Sequence, residues 1–441
     1  MRSRYGEYLE TLPPEWPRVP LRSIGEVVSG STPSRAVPSN WNGDIPWATP
    51  GELTSLRSKY LTETRDHLTR GGLAGCSSGL LPVDSLLVTT RATVGVRALA
   101  GMRVATNQGF KSIVFNREVE PHFYYHLFDL LPGELVRLAS GTTFLEISGR
   151  EFKEILVPRP AKTVQRRIAA ILDTLDDAIR RTEQVIAKLQ QMKQGLLHDL
   201  LTRGVDENGD LRPQPSEAPH LYKDSSLGRI PREWDVKRVE EALTFLLDFR
   251  GRTPKKLGME WGGGDIPALS AKNVRVGRID LEEETYYGSS RLYEKWMTKG
   301  GTARGDVLLT TEAPLGNVAQ VPDERRYILS QRVVLLRFDG TLALNDYMAF
   351  QLADERCQSN MKKWSTGTTA TGIQMAKMVL IPLVLPLVAE QAVQVEMAKA
   401  ADESIAAEQS LLGKYRTAKN GLLHDLLTGR VRVPLPAEVP A

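Results

Sequence analysis

Only two cysteines occur in the 441 residues, Cys76 and Cys357, so a disulfide framework and a thiolate metal site are both excluded. Two unpaired thiols fit a reducing compartment. Long apolar runs are missing too: the greasiest stretch, MVLIPLVLPLV at 378–388, is short and is broken by Pro382 and Pro386, too little to span a bilayer. The opening MRSRYGEYLETLPPEW has no signal-peptide core. A soluble cytoplasmic protein with no membrane partner is expected. Charge of one sign is scarce, and a formal net charge of +4 permits a nucleic-acid partner without requiring one. With 41% hydrophobic and 25% charged residues, the composition is that of a globular protein, not of a disordered or fibrous one.

Catalytic signatures are also missing. There is no Walker-type phosphate loop, no HExxH, no zinc spacing, no GxSxG and no Asn/Asp-Pro-Pro-aromatic tetrad. Glu151-Phe152-Lys153 has the Glu-x-Lys form of many metal-dependent nucleases, but its counterparts 226 residues on, Lys377, Met378 and Val379, lack the carboxylate. It reads as a solvated strand edge. No catalytic residue, metal or cofactor is expected in this chain.

What the sequence does contain is a duplication. GLLHDLLT stands at 195–202 and again at 421–428, a displacement of 421 − 195 = 226 residues. At the same displacement Gln165 matches Gln391, Lys188 matches Lys414, and Thr142-Thr143 matches Thr368-Thr369. Further upstream the register slips by a few residues: Asp44-Ile45-Pro46 pairs with Asp265-Ile266-Pro267, Glu15-Trp16 with Glu233-Trp234, and DSLLVTT from Asp84 with DVLLTT from Asp306. Colinear matches with small indels are what surface loops tolerate. Each repeat is therefore a globular domain followed by a long helix. The expected division is a polar leader at 1–14, a first domain at 15–160, a first helix at 161–203, a linker at 204–230, a second domain at 231–386, a second helix at 387–429 and a frayed tail at 430–441.

SLLVTT, VATNQG and FKSIVF read as strands, and 31–53 as Pro-, Gly- and Ser-rich loops. Strands and helices do not alternate regularly, so an α+β fold of mixed elements is expected and a doubly wound sheet is not. From Gln165 a heptad seam is read through Ile168, Ile171, Leu175, Ala178, Thr182, Val185, Leu189, Met192 and Leu196. In the second copy Met397, Ala401, Leu411, Tyr415, Ala418 and Leu422 are comparably spaced, with Gln394, Ser404 and Glu408 near the seam. Roughly forty residues make a rod of about 60 Å, and its simplest partner is the other copy.

The matched polar loops are the candidate binding residues. Thr89, Thr90, Arg91 and Thr93 follow a strand in the first copy, and Thr310, Thr311 and Glu312 in the second. Ser31, Thr32 and Arg35 match Arg252, Thr253, Lys255 and Lys256 by motif, and the Gly-Thr-Thr turns supply Thr142, Thr143, Thr368 and Thr369. Hydroxyls beside Arg and Lys suit phosphate contacts. Gln108, Lys111, Gln331 and Arg332 carry the long amide and cationic side chains that reach base edges. The matched His198-Asp199 and His424-Asp425 read as a contact to another protein.

EW at each domain start, GSTPS and GRTPK, GDIPW and GDIPA, DSLLVTTRATVG and DVLLTTEAPLG, NQGF, the SGTT and TGTT turns and the closing helices, occurring twice in one order, resemble the specificity subunit of type I restriction-modification systems. The resemblance implies two target-recognition domains that each read half of a split DNA sequence. Between them two antiparallel helices, packed as a coiled coil, act as a ruler. It implies double-stranded DNA as the ligand. Its protein partners would be two modification subunits that bind S-adenosylmethionine and two motor-nuclease restriction subunits, this chain itself being non-catalytic. A self-contained restriction or methylation enzyme and a coiled-coil scaffold without a DNA role are the alternatives. The family's Glu-Gln helix start is kept at Glu390-Gln391, while Val164-Gln165 lacks the acid.

Overall fold

The computed structural model describes residues 4–140, 145–367 and 371–434. The chain forms two compact units, Met1–Gln184 with Gln409–Ala441, and Val185–Glu408. Each unit thus combines the domain of one repeat, the start of that repeat's long helix and the end of the other repeat's helix.

Unit 1 is built on a five-stranded sheet ordered Gly25–Ser29, Phe110–Phe115, Leu86–Thr89, Arg97–Ala100 and Tyr60–Leu61. Its central strand is apolar on both sides, the pattern of a strand covered on two faces. Leu86 and Val88 join the core that holds Ile168, Ala169, Leu172, Leu423, Leu426 and Leu427 of the long helices, while Leu87 packs oppositely with Ala98, Ala100 and Phe110. A three-stranded sheet, Asp66–Leu68, Trp41–Ala48 and Ala105–Thr106, flanks it. Unit 2 repeats the plan, with Leu243–Asp248, Val333–Phe338, Val307–Thr311 and Leu315–Gln320 in one sheet and Tyr286–Gly288, Ile266–Leu269 and Ile328–Leu329 in the other. Val307 and Leu309 face one core and Leu308 the opposite one.

The long helices run Lys162–Thr202 and Val388–Leu427, and within each unit their segments pack antiparallel as a coiled coil. In unit 1, Glu183 pairs with Arg416 and Asp176 with Lys419, at 2.7 and 2.5 Å. In unit 2, Lys193 pairs with Asp402 at 2.5 Å. The last two bonds are one contact made twice, since Lys419 and Asp402 are the matched positions of Lys193 and Asp176.

The seam differs from the sequence expectation by one residue at several positions. Ile168 and Thr182 are buried and Leu175, Leu189 and Leu196 half-buried as expected, but Leu172, Ile186 and Lys193 are more buried than Ile171, Val185 and Met192; Val185 and Met192 are 43% and 60% exposed, while Ala178 and Ile179 are both half-buried. In the second helix Ala398, Ile405 and Lys419 are likewise more buried than Met397, Ser404 and Ala418, and Leu411 and Leu412 are both half-buried. Adjacent apolar pairs such as Ile171-Leu172 and Val185-Ile186 leave the choice of face open in the sequence. At 192–193 the seam position is a lysine, paired with a carboxylate from the other helix.

Matched glutamines pin the helix starts. Gln165 accepts from the Glu120 N–H at 2.9 Å and donates to the Pro160 carbonyl at 2.7 Å. Gln391 accepts from the Leu344 N–H and donates to the Leu342 and Pro386 carbonyls, each at 2.9 Å. Both are almost wholly buried. Gln391→Ala leaves these backbone groups without partners, and a loss of about 1–3 kcal/mol is expected, read as faster amide exchange at the start of the second helix. Exchange unchanged there would show that the clamp contributes nothing.

Residues 4–10 form a helix instead of a polar leader. Tyr5 is buried and donates to the Leu156 carbonyl at 2.9 Å, and Tyr8 donates to the Leu427 carbonyl at 2.8 Å. A narrow stripe of Tyr5, Tyr8, Leu9 and Leu12 among charges hid this helix. The stretch read as linker holds an ordered hairpin, Tyr222–Ser225 against Gly228–Pro231. The two long helices end alike, at Gly204 and Gly429 with φ of +66° and +68°. A Cβ at Gly204 would lie 2.3 Å from Trp234, and one at Gly429 would lie 2.5 Å from Pro13. Only glycine allows both the left-handed turn and the close approach.

Candidate nucleic-acid interface

One arrangement is built in both units where the central strand meets its polar loop. In unit 1 the Thr90 N–H donates to the Gly109 carbonyl at 2.8 Å, and the Thr90 carbonyl accepts from Ile147 at 3.1 Å. In unit 2 Thr311 makes the same bonds to Arg332 and Ile373, both at 2.9 Å. Thr89, Thr90, Thr310 and Thr311 are at most 1% exposed. Their hydroxyls are taken internally: Thr89 accepts from the Val96 N–H at 3.0 Å, Thr310 accepts from the Asn317 N–H at 2.8 Å, Thr90 donates to the Gly109 carbonyl and Thr311 to the Arg332 carbonyl. These threonines, read as phosphate contacts, instead weld the strand to a facing turn and to a hairpin base, Ser140–Glu146 or Thr366–Gly372. A run of β-branched hydroxyl residues at a strand end looks the same in sequence whether it faces solvent or the core. Thr142, Thr143, Thr368 and Thr369 lie outside the described residues.

Above each weld lies a cleft. In unit 1 it is about 270 Å³, lined by Pro50, Arg91, Ala92, Asn107, Gln108 and Gly109. In unit 2 it is about 510 Å³, and Ala313, Ser330, Gln331 and Arg332 take the corresponding places, joined by Arg252, Thr253, Trp261, Lys272 and Tyr286. Gln108, Thr93, Gln331 and Arg332 are exposed. The exposed Thr32 hydroxyl bonds the Gln108 side-chain oxygen, which places both on one rim. Ser31 is held by backbone bonds to Thr106 and Trp47, at 2.9 and 3.1 Å. Arg35 is exposed, pairs with Asp66 and lies 3.7 Å over the Trp41 ring. Lys111 is 7% exposed. Burial pulls its ammonium below the usual lysine range, against Glu146 and with help from Arg91.

In unit 2 Thr253 caps the turn by accepting from the Lys256 N–H at 3.3 Å, and Lys256 reaches the Gly251 carbonyl at 2.7 Å, while Lys255 is exposed. Arg252 bonds the Trp296 carbonyl and the Thr298 hydroxyl and lies 4.6 Å over the Phe249 ring. Sequence reading missed Trp261 and Tyr286, whose rings stack at 5.7 Å, and Lys272, bound to Glu284 at 2.6 Å. It also missed Glu146, whose matched residue Gly372 gives no hint of a carboxylate. Glu151, read as a strand edge, is the third residue of a helix capped by Ser148, which accepts from the Glu151 N–H at 3.1 Å.

His198 and His424 are exposed, Asp199 lies 3.5 Å from Arg203, and Asp425 lies 2.9 Å from Arg430. In each octapeptide the leucines face inward: Leu201 lies in the unit 2 core, and Leu423, Leu426 and Leu427 in the unit 1 core. Among the described residues no group of three or more His, Cys, Asp or Glu is placed to hold a metal ion, and no helix is long and apolar enough to cross a membrane.

Residues 13–191 and 231–413 match the family described as type I restriction modification DNA specificity domain. The type I restriction enzyme MjaIX specificity subunit of Methanocaldococcus jannaschii is 31% identical over 243 residues, 54% of this chain and 54% of that protein. The MjaVIII specificity subunit of the same organism is 22% identical over 96% of this chain and 94% of its own length. Among solved structures, the S subunit of a type I restriction-modification system from M. genitalium is similar with a TM-score of 0.54 at 13% identity, covering 93% of this chain and 96% of its own. A chain from a study of complex assembly and conformational transition of the type I R-M system gives 0.57 at 16%, covering 95% and 99%. At those identities the likeness is one of fold.

Proposed function

Because the chain belongs to the type I restriction-modification DNA specificity family, we propose that it is the non-catalytic subunit through which a modification and restriction complex chooses its DNA. Each unit reads one half of a bipartite target. The observation that carries this reading is the same cleft made twice, on the same strand weld, with different side chains on its walls. A repeat whose frame is kept while its cleft residues change is what two different half-sites require. Phosphate contacts along the rim would fix register, while side chains at the clefts would read base edges.

The paired helices set the number of unread base pairs between the halves. Two readers on one chain imitate a dimeric binder with half-sites on the order of 34 Å apart. The partners are two modification subunits, which hold S-adenosylmethionine and methylate adenine, and two restriction subunits. The exposed His198 and His424, on identical octapeptides, are the proposed contacts for two identical partners. The complex works in the cytoplasm.

Single-molecule sequencing of DNA from a host that expresses this chain with its modification subunit tests the proposal. A bipartite adenine-methylated motif that disappears on deletion of this chain is expected. An unchanged set of methylated motifs would overturn it.

A further inference from the structure

Among the described residues, five that are not glycine hold a left-handed backbone: Asn42, Asp84, Ala92, Ala313 and Arg332. Asparagine and aspartate tolerate it, because their short polar side chains bond locally. The other three all line the clefts. The two alanines are, moreover, one position of the repeat, each standing two residues after a welded threonine, Thr90 or Thr311.

In unit 1 the Thr93 N–H closes onto the Arg91 carbonyl at 2.8 Å. The residue between them, Ala92, has φ of +62°, the rare and strained form of the three-residue turn. In unit 2 Pro314 stands where Thr93 does and has no N–H to close such a turn, yet Ala313 keeps a φ of +43°. The same unfavourable backbone is thus held without the same bond.

Glycine would take this backbone at no steric cost, so each methyl group is kept against a penalty. Packing does not account for it. Both alanines are exposed, and neither joins a hydrophobic core of its unit. A strained residue that the core does not require points to a ligand. Base edges in the major groove present donors, acceptors and one methyl group, that of thymine, for which an alanine methyl is an apolar partner.

Resting on the reading of the clefts as sequence-reading sites, we propose that Ala92 and Ala313 are specificity-determining residues, each touching the C5-methyl of a thymine in its own half of the target. Discrimination at these two base pairs is then separable by repeat.

The test uses the assembled complex with its modification subunit and duplexes carrying the native motif, in which each thymine in turn is replaced by uracil. That exchange removes the methyl group alone and leaves the protein untouched. At one thymine of each half-site the native complex is expected to lose affinity about threefold to fivefold, the worth of one buried methyl group. Ala313→Gly should bind the thymine and uracil duplexes alike at one of these positions, with the other half-site as in the native complex, and Ala92→Gly should do the converse. Both variants keep a residue suited to the left-handed backbone, so they are expected to assemble like the native chain. A native complex indifferent to uracil at every thymine would overturn the proposal. So would an Ala313→Gly complex that still separates thymine from uracil as the native one does, since the methyl would then serve only to restrict the unfolded chain. A half-site without an A·T pair would overturn it for that unit while leaving sequence reading intact. A native complex that selects no bipartite motif would instead sink the reading of the clefts themselves.

Discussion

Glu390→Ala should unfold the start of the second long helix from its domain, at a cost of about 3–5 kcal/mol. The Glu390 side chain is 10% exposed and that of Arg212 is 11%. The carboxylate accepts five hydrogen bonds: from Arg212 Nη1 and Nη2 at 2.6 and 3.1 Å, from Trp234 Nε1 at 3.0 Å, from the Val205 N–H at 3.0 Å and from Gln394 Nε2 at 3.1 Å. It therefore joins the turn after the first long helix, the tryptophan that opens the second domain and the start of the second helix, all within unit 2. Removing it strands a buried indole N–H and leaves the buried Arg212 guanidinium only the exposed Glu233 at 3.3 Å and the Arg203 carbonyl at 3.2 Å, and a buried charge that loses its buried partner costs far more than the intact pair contributes. Amide exchange in unit 2 compared with unit 1 is the measurement. Equal protection in the variant and the native chain would show that the network is dispensable.

Asp173→Ala is the counterpart in unit 1, with an expected loss of about 3 kcal/mol or more. Its carboxylate accepts from His122 Nδ1 at 2.5 Å, from His126 Nε2 at 2.8 Å and from Lys59 Nζ at 2.7 Å. Burial alone would raise its pKa, but the bonds from His122, His126 and Lys59 hold it well below the usual carboxylate range. His126 is shifted down as well, by burial first, with Asp173 opposing. Both folded values lie below the unfolded ones, so both contributions are fully present at neutral pH and are lost as pH falls. That of His126 begins to fade below about 6.5, and that of Asp173 below about 4. At the matched helix position unit 2 has Lys399, paired with Asp346 at 2.7 Å. Asp346 too is held low, against burial, by Lys399 and Gln320, and its window is that of a carboxylate. Between pH 7 and pH 5 unit 1 should lose protection while unit 2 keeps it, and Asp173→Ala should steepen that loss, because His126 then lacks the carboxylate that opposes its downward shift, while removing the further loss below about pH 4. Parallel loss in both units would refute this.

Much of the fold could be read from the repeat. The register of GLLHDLLT, Gln165 and Gln391 located two long helices, and DSLLVTT with DVLLTT located the central strands, because burial on both faces leaves an unbroken apolar run. Other features depend on partners distant in the chain. Nothing near Lys193 announces Asp402, so the seam was assigned to Met192. The face of Tyr5 and Tyr8 is defined only by Leu156 and Leu427. At the clefts, composition found Arg91, Gln108, Gln331 and Arg332, all of which line them. It could not separate them from Thr89, Thr90, Thr310 and Thr311, since a hydroxyl bonded to backbone and one open to solvent are spelled alike. That Arg332 stands at the place of Gly109 follows only from the matched bonds of Thr311 and Thr90 to their carbonyls.

The composition of unit 1 carries a consequence for the order in which the chain is made. Its core includes Leu423, Leu426 and Leu427, which leave the ribosome after the whole of Val185–Glu408. At ordinary rates of synthesis the wait is roughly ten to forty-five seconds. Throughout it, the nascent first domain lacks the three leucines that complete the core of Ile168 and Leu172, which leaves hydrophobic surface open to chaperones. The domain translated first is thus the one completed last, and a stop codon late in the gene would injure its beginning.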